Sequence, residues 1–225
     1  MIRLVLFDID GTLINSGGAG EKAFSRVCEL EFKVPHGTRD LYFAGRTDPA
    51  IIREFFTNHR IEPSKDNFRR FFDAYVFMLE YMLKETEGRV LPGVSEMIKS
   101  LRRMPKPPLI GLLTGNIRLG AQIKLTHYGL WDEFTMGAFG DDNECRDQLA
   151  GVARERGSRT LGSKLRGDEV LVIGDTPRDV QCANAIGAKV VAVATGRYGM
   201  DELTCCKPTW TVATLNDCCL TEICG

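Results

Sequence analysis

The stretch Leu4-Val5-Leu6-Phe7-Asp8-Ile9-Asp10-Gly11-Thr12-Leu13 joins an apolar run to two carboxylates and a Gly-Thr turn. The apolar run is typical of a buried β-strand, an environment that does not favour Asp. Side chains at positions i and i+2 of a strand point the same way, so one pocket can receive both Asp8 and Asp10. Two carboxylates this close repel each other unless a cation or a shared proton relieves them. The pair therefore indicates a divalent metal site, a catalytic carboxylate couple, or both.

Length and composition set the broad class of the protein. The chain has 225 residues, of which 44% are hydrophobic, and its formal net charge is -1. This is enough for a substantial core in one domain, or in one domain with an insert. The balanced charge gives no indication of nucleic acid or an anionic membrane as a partner, and no apolar run reaches the length of a membrane span. The chain starts directly with a strand and without a signal-peptide pattern, so we expect a cytoplasmic location.

The cysteines are numerous but lack a metal-binding pattern. Eight are present, and the C-terminal segment contains adjacent pairs without the CxxC spacing of structural zinc sites. We therefore expect free thiols in a reducing compartment, with an incidental metal clip or an oxidation-sensitive tail as the alternative. The cysteines of that segment are Cys205, Cys206, Cys218, Cys219 and Cys224.

The block that follows the first strand has helical periodicity from Glu21 to about Gly88. Within it, Thr47-Asp48-Pro49 predicts a helix start, with Asp48 as the N-cap and Pro49 at the first helical position. A longer helix is predicted from Ser64 toward Glu85. No strand pattern is evident in this block. We therefore predict an all-helical insert over residues 16–87, hinged at residues 15–20 and 88–92.

Beyond Val90 the pattern alternates between apolar strands and amphipathic helices. This alternation predicts a doubly wound α/β domain with a parallel, Rossmann-like sheet, built from residues 1–15 and 88–225. The further strands are predicted at residues 109–113, 136–139, 169–173 and 189–194.

Three of the predicted strands end in polar residues that can act in catalysis or bind a ligand. The first strand ends in Asp8 and Asp10, the strand at 109–113 in Thr114, and the strand at 169–173 in Asp175, with Asp179 four residues further on. In open parallel sheets, ligands bind beyond the carboxyl ends of the strands. We therefore expect these side chains to form one site.

These residue types suit phosphate chemistry. Carboxylate oxygens are hard ligands that suit Mg²⁺, an ion that usually keeps waters and also binds substrate phosphate. Thr114, Gly115 and Asn116 offer a hydroxyl and backbone N–H groups at a helix start, where an anion is favoured. An Asp can attack phosphorus to form an aspartyl-phosphate, and a second carboxylate can protonate the leaving oxygen and later deprotonate water.

Together the segments Asp8-Ile9-Asp10-Gly11-Thr12, Leu112-Leu113-Thr114-Gly115-Asn116 and Gly174-Asp175-Thr176-Pro177-Arg178-Asp179 resemble the haloacid dehalogenase superfamily. The helical insert resembles the C1 cap of that superfamily. The resemblance implies that Asp8 is the nucleophile and Asp10 the general acid/base. It also implies Mg²⁺ held by Asp8, the backbone carbonyl of Asp10, and Asp175, with Asp179 as a supporting or water-mediated carboxylate.

The sequence departs from the superfamily pattern at one position. The superfamily places a Lys or Arg before the third motif, and the usual Lys-Pro pair is absent between Gly137 and Asp175. Arg146 is the first candidate for this cation, because its planar guanidinium matches phosphate in a bidentate manner. Lys164 is the reserve candidate.

The resemblance also bears on the reaction. Members that dehalogenate lack the second Asp, so Asp10 favours phosphoryl transfer. Gly45-Arg46-Thr47-Asp48 resembles the cap loop of phosphoglycolate-phosphatase-like members, and we expect Arg46 to meet an anionic group of the substrate. The prediction is a Mg²⁺-dependent phosphatase for a small anionic phosphomonoester, as a monomer or homodimer. A phosphomutase resembling β-phosphoglucomutase, a pyrophosphatase and a non-catalytic binding protein remain as alternatives.

Overall fold

A six-stranded parallel sheet forms the centre of residues 1–224, which the computed structural model describes. The Cys224 side chain and Gly225 lie outside the described part of the chain. The strand order is β5-β4-β1-β6-β7-β8, and every neighbouring pair is parallel. The predicted doubly wound α/β fold is therefore confirmed. The strands are β1 (Leu4–Phe7), β4 (Leu109–Leu113), β5 (Met136–Ala138), β6 (Val170–Gly174), β7 (Lys189–Val193) and β8 (Trp210–Val212).

Helices cover both faces of this sheet. Alternate β1 side chains point to opposite faces, so Val5 and Phe7 pack in one apolar cluster while Leu4 and Leu6 pack in the other. The first cluster includes residues of α4 and α5, and the second includes residues of α6 and α7. These two layers bury β1 on both sides and fix the position of the carboxylates at its end. The helices of this part of the chain are α4 (Val94–Arg102), α5 (Arg118–His127), α6 (Arg146–Thr160), α7 (Pro177–Ala185), α8 (Met200–Cys205) and α9 (Leu220–Cys224).

Three helices between β1 and α4 form the insert, namely α1 (Ala19–Leu30), α2 (Asp48–Asn58) and α3 (Lys65–Glu85). Its helices share a separate apolar cluster, rich in aromatic rings, around the fully buried Phe71 and Tyr75. A short antiparallel ribbon of β2 (Ile14–Asn15) and β3 (Arg89–Val90) joins the insert to the sheet domain. Two residues per strand are too few to show a period-2 pattern, so the sequence did not predict this ribbon.

The start of α2 differs from the prediction by one residue. Thr47 is the N-cap, and its Oγ1 accepts a hydrogen bond from the Ala50 N–H at 3.4 Å. Asp48 is already helical, and its carboxylate instead accepts a hydrogen bond from the Ile117 N–H of the sheet domain. The prediction of Asp48 as N-cap was therefore wrong, because both residue types cap helices well and a tertiary contact engages the Asp.

Three further observations concern membrane crossing, the cysteines and the last strand of the sheet. Within residues 1–224, none of the helices combines the length and the apolar character needed to cross a bilayer. Cys28 and Cys182 are buried with free thiols, and Cys145, Cys205, Cys206 and Cys219 are also free. The short edge strand β8 was not predicted, because its three half-buried residues show neither alternation nor a continuous apolar run.

Candidate active site

A cavity of about 400 Å³ lies between the carboxyl ends of the strands and the insert. The first strand, β4 and β6 supply one wall, and the insert supplies the facing wall. Asp8, Asp10 and Asp175 line the same cavity, as the sequence predicted from the ends of parallel strands. The insert contributes Glu21, Phe24, Phe43, Arg46, Asp48, Ile51 and Tyr75 to the lining.

The two carboxylates at the end of β1 have different environments. Asp8 is 5% exposed, and its backbone N–H donates to the Ile173 carbonyl on β6 at 2.9 Å. Burial raises the pKa of Asp8 to about 6; Arg146 opposes this shift and Asp179 adds to it. The Asp10 side chain is 41% exposed and faces the cavity. Two carboxylates in different environments can take different roles in one reaction.

Arg146, at the start of α6, lies against these carboxylates. Its side chain is buried, with Nη2 at 3.0 Å from Asp8 Oδ2, and the same nitrogen donates to Asp179 Oδ1. The buried Nε has no hydrogen-bond partner among the described residues. An unpaired guanidinium N–H is costly to bury, so this nitrogen is an unsatisfied donor next to the carboxylates. Lys164, in contrast, is exposed and does not line the cavity.

Three buried carboxylates make a candidate metal centre. Oxygens of Asp8, Asp175 and Asp179 lie within 4.8 Å of one another. Burial, followed by the charges of Asp179 and Asp8, raises the pKa of Asp175 well above its ordinary value. The guanidinium of Arg146 is a single positive charge facing these three acids. The hard oxygen donors and the excess negative charge therefore fit a divalent cation such as Mg²⁺.

The members of this cluster are held in different ways. Asp179 Oδ2 accepts from the Thr176 N–H at 3.0 Å and from its hydroxyl at 2.6 Å, while Oδ1 faces Arg146. Asp175 accepts from the Thr12 hydroxyl at 3.1 Å, and a Cβ at Gly196 would lie 1.7 Å from its Oδ2. Asp179 thus caps α7 and orients Arg146, whereas close backbone packing holds Asp175.

The turn after β4 contacts both the carboxylates and the insert. Thr114 is fully buried, and its Oγ1 accepts from the Asn116 N–H and from Asn116 Nδ2. Asn116 Nδ2 also donates to Asp10 Oδ2 at 2.8 Å, so this side chain faces the carboxylate. A Cβ at Gly115 would lie 2.0 Å from the Arg46 carbonyl oxygen, so only glycine allows the insert to approach this closely.

The start of α2 docks the insert on the sheet domain. The Asp48 N–H donates to the Gly115 carbonyl at 2.8 Å, and Asp48 Oδ2 accepts from the Ile117 N–H at 2.9 Å. The Thr47 hydroxyl donates to the Glu144 carbonyl at 2.9 Å. Burial raises the pKa of Asp48 to about 7, against the opposing charge of Lys124. These bonds hold the insert over the cavity.

Arg46 lines the cavity, but its guanidinium is already engaged within the insert. It forms an ion pair with Glu54 and donates to the carbonyls of Tyr42 and Ala50 at 3.3 Å. Contact between Arg46 and a substrate anion stays a prediction.

Sequence reasoning missed two cations in the cavity wall, Lys124 and Arg197. Lys124 is buried on α5, with Nζ at 2.7 Å from Asp10 Oδ2. Arg197, after β7, has its guanidinium over the Tyr42 ring at 5.2 Å. Lys124 leaves a signal in the sequence, because it shares the apolar face of a helix with Ala121 and Leu125.

This chain is similar to known proteins over most of its length. A family model described as haloacid dehalogenase-like hydrolase matches residues 5–193. A phosphoglycolate phosphatase of Rhodobacter capsulatus is 29% identical over 199 residues, which are 87% of this chain and 86% of the relative. Pyrophosphatase PpaX of Halalkalibacterium halodurans is 24% identical, over 96% of this chain and 94% of the relative. The crystal structure of a predicted phosphoglycolate phosphatase from Haemophilus somnus 129pt superposes with a TM-score of 0.74 at 19% identity, covering 100% of this chain and 98% of the other.

Proposed function

Because the chain belongs to the haloacid dehalogenase-like hydrolase family, we propose that it is a Mg²⁺-dependent phosphatase that hydrolyses a small anionic phosphomonoester. Similarity to phosphoglycolate phosphatases supports this reaction class. The observation that carries the proposal is one cavity in which Asp8 lies beside Arg146, with Asp10 and Asp175 on the same wall. This arrangement supplies a nucleophile, a cation, an acid/base group and a metal ligand to one substrate.

In the first half of the proposed reaction, a carboxylate oxygen of Asp8 attacks the phosphorus of the ester. The P–O bond to the leaving alcohol breaks, and its electron pair stays on the ester oxygen. Asp10 gives its proton to that oxygen, so a neutral alcohol leaves and Asp8 carries the phosphoryl group. Arg146 donates hydrogen bonds to the phosphoryl oxygens and neutralises part of their charge. The contact of Arg146 with Asp8 and its place in the cavity wall support this role.

In the second half, water attacks the phosphorus of the aspartyl-phosphate. Asp10, now ionised, takes a proton from this water, and the bond between phosphorus and the Asp8 oxygen breaks. Inorganic phosphate leaves and the Asp8 carboxylate is regenerated, while Asp10 again holds a proton for the next cycle. The Thr114 turn, predicted with Gly115 and Asn116 to bind phosphate, would orient the phosphoryl group through its hydroxyl and N–H groups.

Asp8, the backbone carbonyl of Asp10, and Asp175 would hold the metal, with Asp179 in support. When bound, Mg²⁺ supplies positive charge that screens the phosphoryl oxygens from the attacking carboxylate. The proximity of the three carboxylates and the raised pKa of Asp175 support this placement.

The size of the cavity supports a small substrate. About 400 Å³ beneath a docked insert holds a short phosphate ester and excludes macromolecules. We assign the substrate's second anionic group to the side of Arg46, with residues 16–87 acting as the cap. A cytoplasmic location and a monomer or homodimer complete the proposal. Pyrophosphate hydrolysis is the second candidate, since a pyrophosphatase matches 96% of the chain.

Phosphate release tests the proposal. We expect wild type to release inorganic phosphate from phosphoglycolate and 4-nitrophenyl phosphate only with Mg²⁺, and Asp8→Asn to release none. Asp73→Asn, at an exposed position of α3, is the control for an Asp-to-Asn change. Pyrophosphate as the faster substrate would favour the second candidate, and isomerised sugar phosphate without phosphate release would favour a phosphomutase. Turnover that survives Asp8→Asn would refute the aspartyl-phosphate mechanism.

A further inference from the structure

The side chain of Lys124 contacts Asp10, the proposed acid/base group. Resting on the proposed function, we propose that Lys124 is a positioning residue for Asp10. It holds Asp10 Oδ2, so that Oδ1 is the oxygen that gives a proton to the leaving alcohol and takes one from water.

The contacts around Asp10 carry this assignment. Lys124 Nζ lies 2.7 Å from Asp10 Oδ2, and Asn116 Nδ2 donates to the same oxygen at 2.8 Å. None of the described residues donates a hydrogen bond to Asp10 Oδ1. A carboxyl oxygen that accepts from two donors is a poor place for the acidic proton, because its lone pairs are already engaged. The other oxygen, Oδ1, is therefore left for proton transfer.

Lys124 also orients Asn116, its partner in this task. Its ammonium donates to Asn116 Oδ1 at 2.7 Å, which forces the amide nitrogen toward Asp10 Oδ2 and Thr114 Oγ1. The three side chains thus form one connected network, in which a missing member leaves the others free to rotate. Both donors to Asp10 Oδ2 depend on Lys124, one directly and one through the amide.

The burial of this cation argues for a specific task. Lys124 is only 4% exposed, and a Cβ at Gly20 on α1 would come within 3.3 Å of its Nζ. Burying an ammonium is costly unless it is hydrogen-bonded, and Asp10 and Asn116 accept from two of its three N–H donors. A Leu or Met on this apolar helix face would pack more cheaply. The contacts with Asp10 and Asn116 therefore account for a buried ammonium at this position.

The experiment compares leaving groups, because only a poor leaving group depends on a well-placed acid. Wild type, Lys124→Met and Lys124→Gln are assayed for kcat/KM on 4-nitrophenyl phosphate, phenyl phosphate and phosphoglycolate. This constant covers the steps up to alcohol release, where Asp10 acts as the acid. Gln122→Met, at an exposed position of the same helix, is the control for a Met in α5. Urea unfolding of each variant measures its fold stability separately.

General acid–base catalysis contributes about 10²–10⁴-fold, and misplacement by about 1 Å can cost about 10²-fold. We therefore expect Lys124→Met to lose about 100-fold on phosphoglycolate and phenyl phosphate but less than about 5-fold on 4-nitrophenyl phosphate. Equal losses on all three esters would overturn the inference, since a structural or binding role acts uniformly. If the Met variant does not fold, the same comparison is decided by Lys124→Gln. Absence of wild-type turnover on every ester would refute the proposed function and this inference with it.

Discussion

Replacing Asp48 with Asn removes a buried ionisable group from the contact between the insert and the sheet domain. The Asp48 carboxylate is 8% exposed and accepts the Ile117 N–H at 2.9 Å. An Asn side chain keeps an acceptor oxygen for this bond and has almost the same volume. The substitution therefore changes the response to pH while it preserves the docking geometry.

The size and sign of the effect follow from the pKa of Asp48. Burial raises this pKa to about 7 from the ordinary 3.8, with Lys124 as the main opposing charge. The folded protein therefore keeps a proton that the unfolded chain releases, so the free energy of unfolding falls as pH rises from about 4 to about 7. At about 1.4 kcal/mol per pKa step, this loss amounts to about 4 kcal/mol at most. Asp48→Asn has no ionisable group at this position, so its free energy of unfolding does not show this loss.

Urea unfolding at pH 5, 6, 7 and 8 in a chelating buffer measures the effect. We expect the stability of Asp48→Asn relative to wild type to increase by about 2–3 kcal/mol from pH 5 to pH 8, because the part of the loss below pH 5 precedes the assayed range. Asp73→Asn, at an exposed position of the insert, is the control for the substitution itself. A stability difference that stays constant with pH would refute this reasoning. A variant that loses stability relative to wild type as pH rises would show that Asp48 is stabilised as an anion.

Three further predictions concern the cation, the backbone and the metal. Arg146→Met leaves buried carboxylates unpaired, so we expect it to lose about 10³-fold in kcat/KM and about 3–5 kcal/mol of unfolding free energy. Arg146→Lys should retain part of both, and wild-type kinetics in the Met variant would contradict this prediction. Gly196→Ala places a Cβ against the Asp175 carboxylate, so we expect Mg²⁺-dependent turnover to fall at least about 100-fold. The control Gly151→Ala, in open space on α6, should keep the wild-type rate, and equal rates in the two variants would disprove the role of this packing. Mg²⁺ at 100 times its Kd should stabilise wild type by about 2.7 kcal/mol in thermal unfolding, and Asp175→Asn should abolish that gain; an undiminished gain in the variant would exclude Asp175 as a ligand.

Five of the six strands of the sheet and the long helices of the insert were predictable from local patterns. A continuous apolar run such as Val170–Gly174 predicts a strand that is buried on both faces. The helix start at Thr47 was placed one residue late, because Thr47 and Asp48 both suit an N-cap and only the contact with Ile117 distinguishes them. The β2/β3 ribbon and β8 escaped prediction because strands of two or three residues have no period to detect.

The chemistry of the site was likewise only partly predictable from the sequence. The order of strands and helices, with Asp8, Asp10 and Asp175 at strand ends, was enough to predict a phosphate-handling cavity, because parallel strands bring their carboxyl ends to one edge. The partners of those carboxylates depend on packing between elements remote in sequence. Lys124 reaches Asp10 across 114 positions, and Arg146 contacts Asp8 only because α6 packs against β1. No local periodicity encodes such distances. Arg146 was a candidate only through the resemblance to a known superfamily, and only the folded chain shows that Lys124 contacts Asp10.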